Sequence, residues 1–150
     1  MQKDEAAVAG ASAIEFHVSY RLAEYLAIVA AHSIADFARI KAGQGKMLSR
    51  LDAWTLRGCV YLFAPPIFLF KVLRVGACNF RIDSAGIVRS SKSGVVTVPW
   101  SDLVAIHEYP AGYLFAKKTG AMPVPYRVLT DAQRLALDHF IAIYRQRSLV

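Results

Sequence analysis

A chain of 150 residues can bury one sizeable core and is too short for a catalytic domain joined to a regulatory one. With 55% hydrophobic and 19% charged residues it is too apolar for a disordered chain, and its mean hydropathy of +0.34 points to membrane contact. The net charge of +7 calls for an anionic partner, nucleic acid or an anionic lipid surface, and the placement of the charge has to choose between them.

The opening "MQKDEAAVAGASAIEF" mixes acids with one lysine and has no apolar run of signal-peptide length before residue 22, so the bulk of the chain is expected in the cytoplasm. Ile14, Phe16, Val18 and Tyr20 alternate with Glu15, His17 and Ser19, the period of a half-buried strand. From Arg21 the spacing becomes helical, with Leu22, Leu26, Val29, Phe37 and Ile40 on one face and an end near "KAGQG". Glu24, His32 and Asp36 keep this helix from being a lipid-exposed span. Gly43-Gln44-Gly45 is a hinge, after which Met47, Leu48, Leu51, Trp54 and Leu56 resume a helical pattern.

That pattern runs into "GCVYLFAPPIFLFKVLRVG", whose first thirteen residues, from Gly58 to Phe70, carry no charge. Tyr61, Leu62, Phe63, Pro65, Pro66, Ile67, Phe68, Leu69 and Phe70 are the candidate membrane-associating residues. Arg50 and Arg57 precede them and Lys71 and Arg74 follow, a basic flank on each side, each cation contributing about 1 kcal/mol near an anionic leaflet. A single crossing would leave one basic flank outside, and thirteen helical residues cover roughly 20 Å of a roughly 30 Å hydrocarbon core. Pro65 and Pro66 remove two backbone donors and predict a kink or break. The segment therefore reads as re-entrant or kinked in a membrane, or as part of a soluble core.

After Gly76 the texture switches to short alternating or β-branched runs cut by turn signals such as "SAG", "SKSG", "YPAG" and "KTG". This predicts a curved antiparallel meander of about five or six strands. Pro99 to Asp102 forms a turn between strands, with Trp100 as an amphipathic plug whose indole N–H seeks a partner at the sheet edge. Pro123 and Pro125 confine the last strand to an edge, and Arg127 behind it is expected to pair with Asp102 or Glu108. Thr130, three residues before Gln133, begins an amphipathic closing helix carrying Leu137, Phe140, Ile141 and Tyr144. Strands and helices are segregated, which makes the fold class α+β. Three regions follow: an N-terminal strand and helical region over 1–57, the hydrophobic segment 58–75, and the meander with its helix over 76–150. A small curved sheet closed by a helix resembles pleckstrin-homology-like modules, an analogy of fold alone.

No reaction centre is legible. "GQGKMLS" lacks the spacing and preceding strand of a phosphate-binding loop, and His17, His32, His107 and His139 are scattered rather than set at metal-ligand intervals. Cys59 and Cys78 form no CxxC and are expected to be reduced, buried thiols. Asp83, Asp102 and Glu108 fall on successive strands and are the one set of carboxylates that could meet for acid–base chemistry. Lys and Arg are spread along the chain rather than gathered beside stacking aromatics, which argues against nucleic acid. No catalytic residue, metal, cofactor or small-molecule substrate is expected.

In their order, Asp83 to Gly86 after a strand, "VPWSDL" (Pro99, Trp100 and Asp102), the strand through Glu108, "YLF" at 113–115 and Pro125 to Arg127 before the last helix resemble the C-terminal domain of the YcxB-like family of bacterial membrane proteins. "FHVSYRLAEYLAIVAAH" is similar to that family's opening strand and helix. The resemblance implies a hydrophobic hairpin between opening helix and β-rich domain, and an inner-membrane location with that domain in the cytoplasm. It attaches no agreed activity, and the hydrophobic stretch of this chain is too short for two spans. The expected function is thus a non-enzymatic, membrane-associated interaction domain. The alternative is a soluble protein-binding module such as a toxin-neutralising immunity protein.

Overall fold

In the computed structural model, which describes residues 13–148, the opening alternation becomes strand β1 (Ile14–Val18), with Ile14, Phe16 and Val18 buried and Glu15 and His17 exposed. Its partner is not the next element but β2 (Cys78–Ile82), paired antiparallel with Phe16 opposite Phe80 and their rings stacked 5.3 Å apart. β3 (Gly86–Ser91) and β4 (Gly94–Pro99) continue this four-stranded sheet in the order β1-β2-β3-β4. β5 (Leu103–Tyr109), β6 (Gly112–Lys117) and β7 (Gly120–Pro125) form a second, three-stranded sheet. The fold is α+β as expected, with six strands after Gly76. The opening strand, grouped from sequence with the N-terminal strand and helical region over 1–57, is hydrogen-bonded into the first sheet.

The inward pleat of both sheets supplies the core: Val18, Phe80, Ile82 and Ile87 from the first, Tyr113, Phe115 and Val124 from the second. Helix α3 (Asp131–Arg147) covers it with Leu137, Phe140 and Ile141. Its start has the expected capping box: Thr130 Oγ1 accepts from Gln133 N at 3.2 Å, and Thr130 N donates to Gln133 Oε1 at 3.0 Å.

The two sheets contain a repeat. Gly86 and Gly112, Pro99 and Pro125, and Trp100 and Tyr126 are each 26 residues apart, and each trio opens a hairpin, closes it and enters a 3-10 turn. Both glycines face a carbonyl across the hairpin: a Cβ would lie 2.4 Å from Val98 O at Gly86 and 2.3 Å from Val124 O at Gly112. Only glycine permits that approach. Trp100 N donates to Ala85 O at 3.4 Å and Tyr126 N to Ala111 O at 3.1 Å. The Trp100 indole finds the partner expected for it, donating to Asp83 O at 2.8 Å, and β7 with its two prolines lies at a sheet edge.

Between β1 and β2 the chain makes a helical hairpin, α1 (Leu22–Gly43) and α2 (Arg50–Val75). α1 packs on the outer face of the second sheet, against β5 and β7, burying Leu26, Ile28 and Ala30. α2 starts from a second capping box, Ser49 with Asp52, and corrects two expectations. It runs as one helix through Pro65 and Pro66, because only the carbonyls of Tyr61 and Leu62 lose their amide donors and both residues face outward. Cys59, expected to be buried, is exposed on it, whereas Cys78 is buried in β2.

Candidate membrane-binding surface

α2 has 26 residues, about 39 Å of helix. A narrow stripe, Ala53, Leu56, Val60, Ala64, Phe68, Val72 and Val75 at intervals of three or four, is covered or half-covered. Phe68 meets Tyr25 of α1 with ring centroids 5.1 Å apart. Apart from half-covered Asp52 and Pro65, the rest of the helix faces out. Leu51 and Trp54 are each 80% exposed, and Tyr61, Leu62, Phe63, Ile67, Leu69, Phe70 and Leu73 lie between 52% and 72%. Of the nine candidate residues only Pro65 and Phe68 are half-buried; Pro66 is exposed with the other six. The stretch is not the inside of a soluble core. Among the described residues, α2 is the one helix long and apolar enough to cross a membrane.

All four flank cations, Arg50, Arg57, Lys71 and Arg74, are exposed. Lys71 Nζ stands 5.7 Å from the ring of Tyr25 on α1. The apolar arc therefore ends in positive charge at both ends of the helix.

The position of the β body along α2 is set by α1. Tyr25 meets Phe68 at one end of the hairpin and Lys41 pairs with Asp52 at the other, which places His32 level with about Val60. On its opposite side His32 holds β5: its Nδ1 and the Tyr109 hydroxyl are 2.8 Å apart, and its ring lies 4.9 Å from that of His107. The β body thus flanks the hairpin over the same length as Gly58 to Phe70. A perpendicular crossing would carry β5, with exposed Glu108, into hydrocarbon, whereas a helix lying flat keeps the body in water.

The remaining sequence candidates are structural. Arg127 corrects its expected pairing: its fork grips the Glu24 carboxylate, with Nη2 to Oε2 at 2.9 Å, and Nη2 also donates to Ser19 O at 2.8 Å. That contact ties the start of α1 to the turn after β7, and it holds the Glu24 carboxyl below its usual range. Glu108 instead accepts from the Tyr126 hydroxyl at 2.9 Å and lies 4.0 Å from Arg134. Burial, reinforced by Glu108, pushes the Tyr126 phenol up to about 12. Asp83 caps its own turn, accepting from Ala85 N at 2.9 Å, and Asp102 makes no ion pair among the described residues. Asp83 and Glu108 have separate partners and the three carboxylates do not meet, and no group of three His, Cys, Asp or Glu side chains is placed to hold a metal ion among the described residues. Trp100 stacks on Phe140 at 6.2 Å and lies 6.0 Å from Tyr144, which seats α3 on the first turn of the repeat.

One cluster has no signature in the sequence. His32, His107, Tyr109 and Asp36 meet where α1 crosses β5, with His32 Nε2 3.2 Å from Asp36. Burial, then the neighbouring His32 and Arg39, holds the His107 imidazole below its usual range against the pull of Asp36. Residues 75 apart on a helix and a strand share no local pattern that would announce the pair.

Compared with protein families, curated proteins and solved structures, the chain matches none of them.

Proposed function

We propose that this chain is a non-enzymatic peripheral membrane protein that rests on an anionic bilayer, with α2 in the plane of the interface and the two-sheet body standing in the cytoplasm. The observation that carries the reading is the uncovered apolar arc of α2 between Arg50 and Arg57 at one end and Lys71 and Arg74 at the other. Monomeric soluble proteins rarely leave so many large apolar side chains contiguous and bare. Aromatic and aliphatic side chains at acyl depth with cations at headgroup depth are what an interfacial helix presents. The carbonyls of Tyr61 and Leu62, freed by the two prolines, favour this depth over a crossing, because interfacial water can satisfy them and hydrocarbon cannot. Membership of the YcxB-like family, whose element order this chain resembles, is part of the proposal and supports the setting.

Flotation of purified protein with vesicles tests it. Binding to vesicles containing phosphatidylglycerol is expected to exceed binding to pure phosphatidylcholine and to weaken in high salt. A monodisperse, detergent-free protein that floats with neither would overturn the reading. A stoichiometric protein partner that shields Phe63 and Phe70 would then put the protein-binding function in its place.

A further inference from the structure

A cavity of about 280 Å³ opens where the C-terminal end of α2 meets the unclosed end of the two-sheet body. Tyr20, Lys71, Arg89, Lys117, Thr119 and Gly120 are among its walls, and no carboxylate is found among the described residues that line it. Two of its three cations stand where the fold would ordinarily place apolar side chains. Arg89 lies opposite Phe80 on β2 and Val96 on β4, and shares its pleat with Ile87, so it points to the core side of the first sheet. In the 26-residue repeat its counterpart is Phe115, which is fully buried. Lys117 follows Tyr113 and Phe115 on the inward pleat of β6, opposite Leu103.

An inward arginine is costly unless something answers its charge, and among the described residues nothing does. Arg89 Nε is buried without a hydrogen-bond partner. None of Arg89, Lys117 and Lys71 has a carboxylate within ion-pair distance among the described residues. Tyr20 closes the floor by donating its hydroxyl to Pro123 O at 2.9 Å. Lys71 is shared between this cavity and the basic end of the apolar arc. A helix lying in the interface would hold the cavity mouth at headgroup level.

We infer that this cavity is a binding site for a phosphate monoester, with the Arg89 fork and Lys117 on the phosphate oxygens and Lys71 at the rim, and that its ligand is the exposed phosphate of a lipid headgroup. The volume suits a headgroup rather than a whole amphiphile. Guanidinium and ammonium donors answer a dianionic phosphate with charge-assisted hydrogen bonds. The lipid source rests on the membrane reading above; the phosphate chemistry does not.

The test compares the full chain with Arg89→Met and Lys117→Met. Vesicles of phosphatidylcholine carrying phosphatidic acid are set against vesicles carrying phosphatidylglycerol at equal surface charge. Wild type should prefer phosphatidic acid by about tenfold or more, and each variant should lose that preference while keeping its binding to phosphatidylglycerol. Arg89→Met should fold and melt no lower than wild type, since it replaces an unanswered inward charge. In parallel, glycerol 3-phosphate is titrated while the Arg89 Nε–H resonance is followed. A shift of that resonance without a vesicle preference would assign the site to a soluble phosphate ester. An unmoved resonance, together with a phosphatidic acid preference that is absent or survives in Arg89→Met, would overturn the site. Loss of all vesicle binding with a normal resonance shift would instead sink the membrane reading and leave the phosphate site standing.

Discussion

The two-sheet body and α2 are both rich in large apolar side chains and dispose of them in opposite ways. In the body the pleat hides them: Phe16 and Phe80 alternate with polar neighbours, Ile87 follows the turn glycine Gly86, and these together with Phe115 and Val124 land in the core between the sheets and under α3. In α2 they occur nearly all round the helix, while α1 can cover only one stripe. A helix with apolar residues on every side is fully buried only when covered on every side, and the described residues cover this one on a single side. The difference teaches that hydrophobicity in the body is spent on stability, whereas on α2 most of it is left uncovered among the described residues.

Substitutions in the two regions should therefore diverge. Phe115→Ala empties a fully buried site between the sheets and should cost about 3–5 kcal/mol in denaturant unfolding, whereas Phe63→Ala on α2 should change stability by no more than about 0.5 kcal/mol. Equal losses at the two positions would erase the contrast. The converse holds for membranes. Replacing Phe63 and Phe70 together with Asp should leave the melting temperature unchanged and lower vesicle partitioning by at least about a hundredfold, given roughly 1.5–3 kcal/mol for immersing each aromatic side chain.

Smaller effects probe the joint between the regions. Arg127→Ala removes the clamp on Glu24 and Ser19 O, and at a partly exposed site it should cost about 1 kcal/mol. The Glu24 carboxyl is lowered in the folded state, chiefly by its hydrogen bond with Arg127, so the contribution is present above the ordinary carboxylate pKa and lost as pH falls below it. Arg127→Ala should accordingly flatten the acid limb of the stability profile.

The smallest effect belongs to the α1–β5 contact. His107 is held below its ordinary value, so the unfolded chain takes up its proton first: stability should be full above about pH 6.5 and decline as pH falls below that. Amide exchange in α1 should quicken over the same range, with Asp36, Arg39, His32 and Tyr109 around the ring. His107→Gln should remove the dependence, and a profile identical in that variant would assign the change to other groups.

Much of the body was readable because its signals are local. Period-two alternation, turn glycines and the Thr130 capping box each act within a few residues, and all appear where expected. The prolines of α2 misled because a continuous helix loses only two hydrogen bonds to them, and the freed carbonyls face outward rather than into a packed wall. Arg127 misled because its true partner, Glu24, lies 103 residues away and is brought near only when α1 docks on the second sheet. Arg89 was counted from sequence merely as one of many dispersed cations. Its alternation with Ile87 was visible, but nothing local said that this parity faces the core.

By itself the sequence determined the segregated α+β order, the meander, the closing helix and the presence of an uncharged run between cations, since these depend on spacing along the chain. Tertiary structure decided which surfaces are covered. Register with Phe80 and Val96 turned Arg89 inward, pairing with β2 drew β1 across the helical hairpin, and α1, committed to the β body on one side, left the outer arc of α2 bare. Burial is a property of neighbours that the chain supplies from afar, so no stretch of sequence can state it about itself.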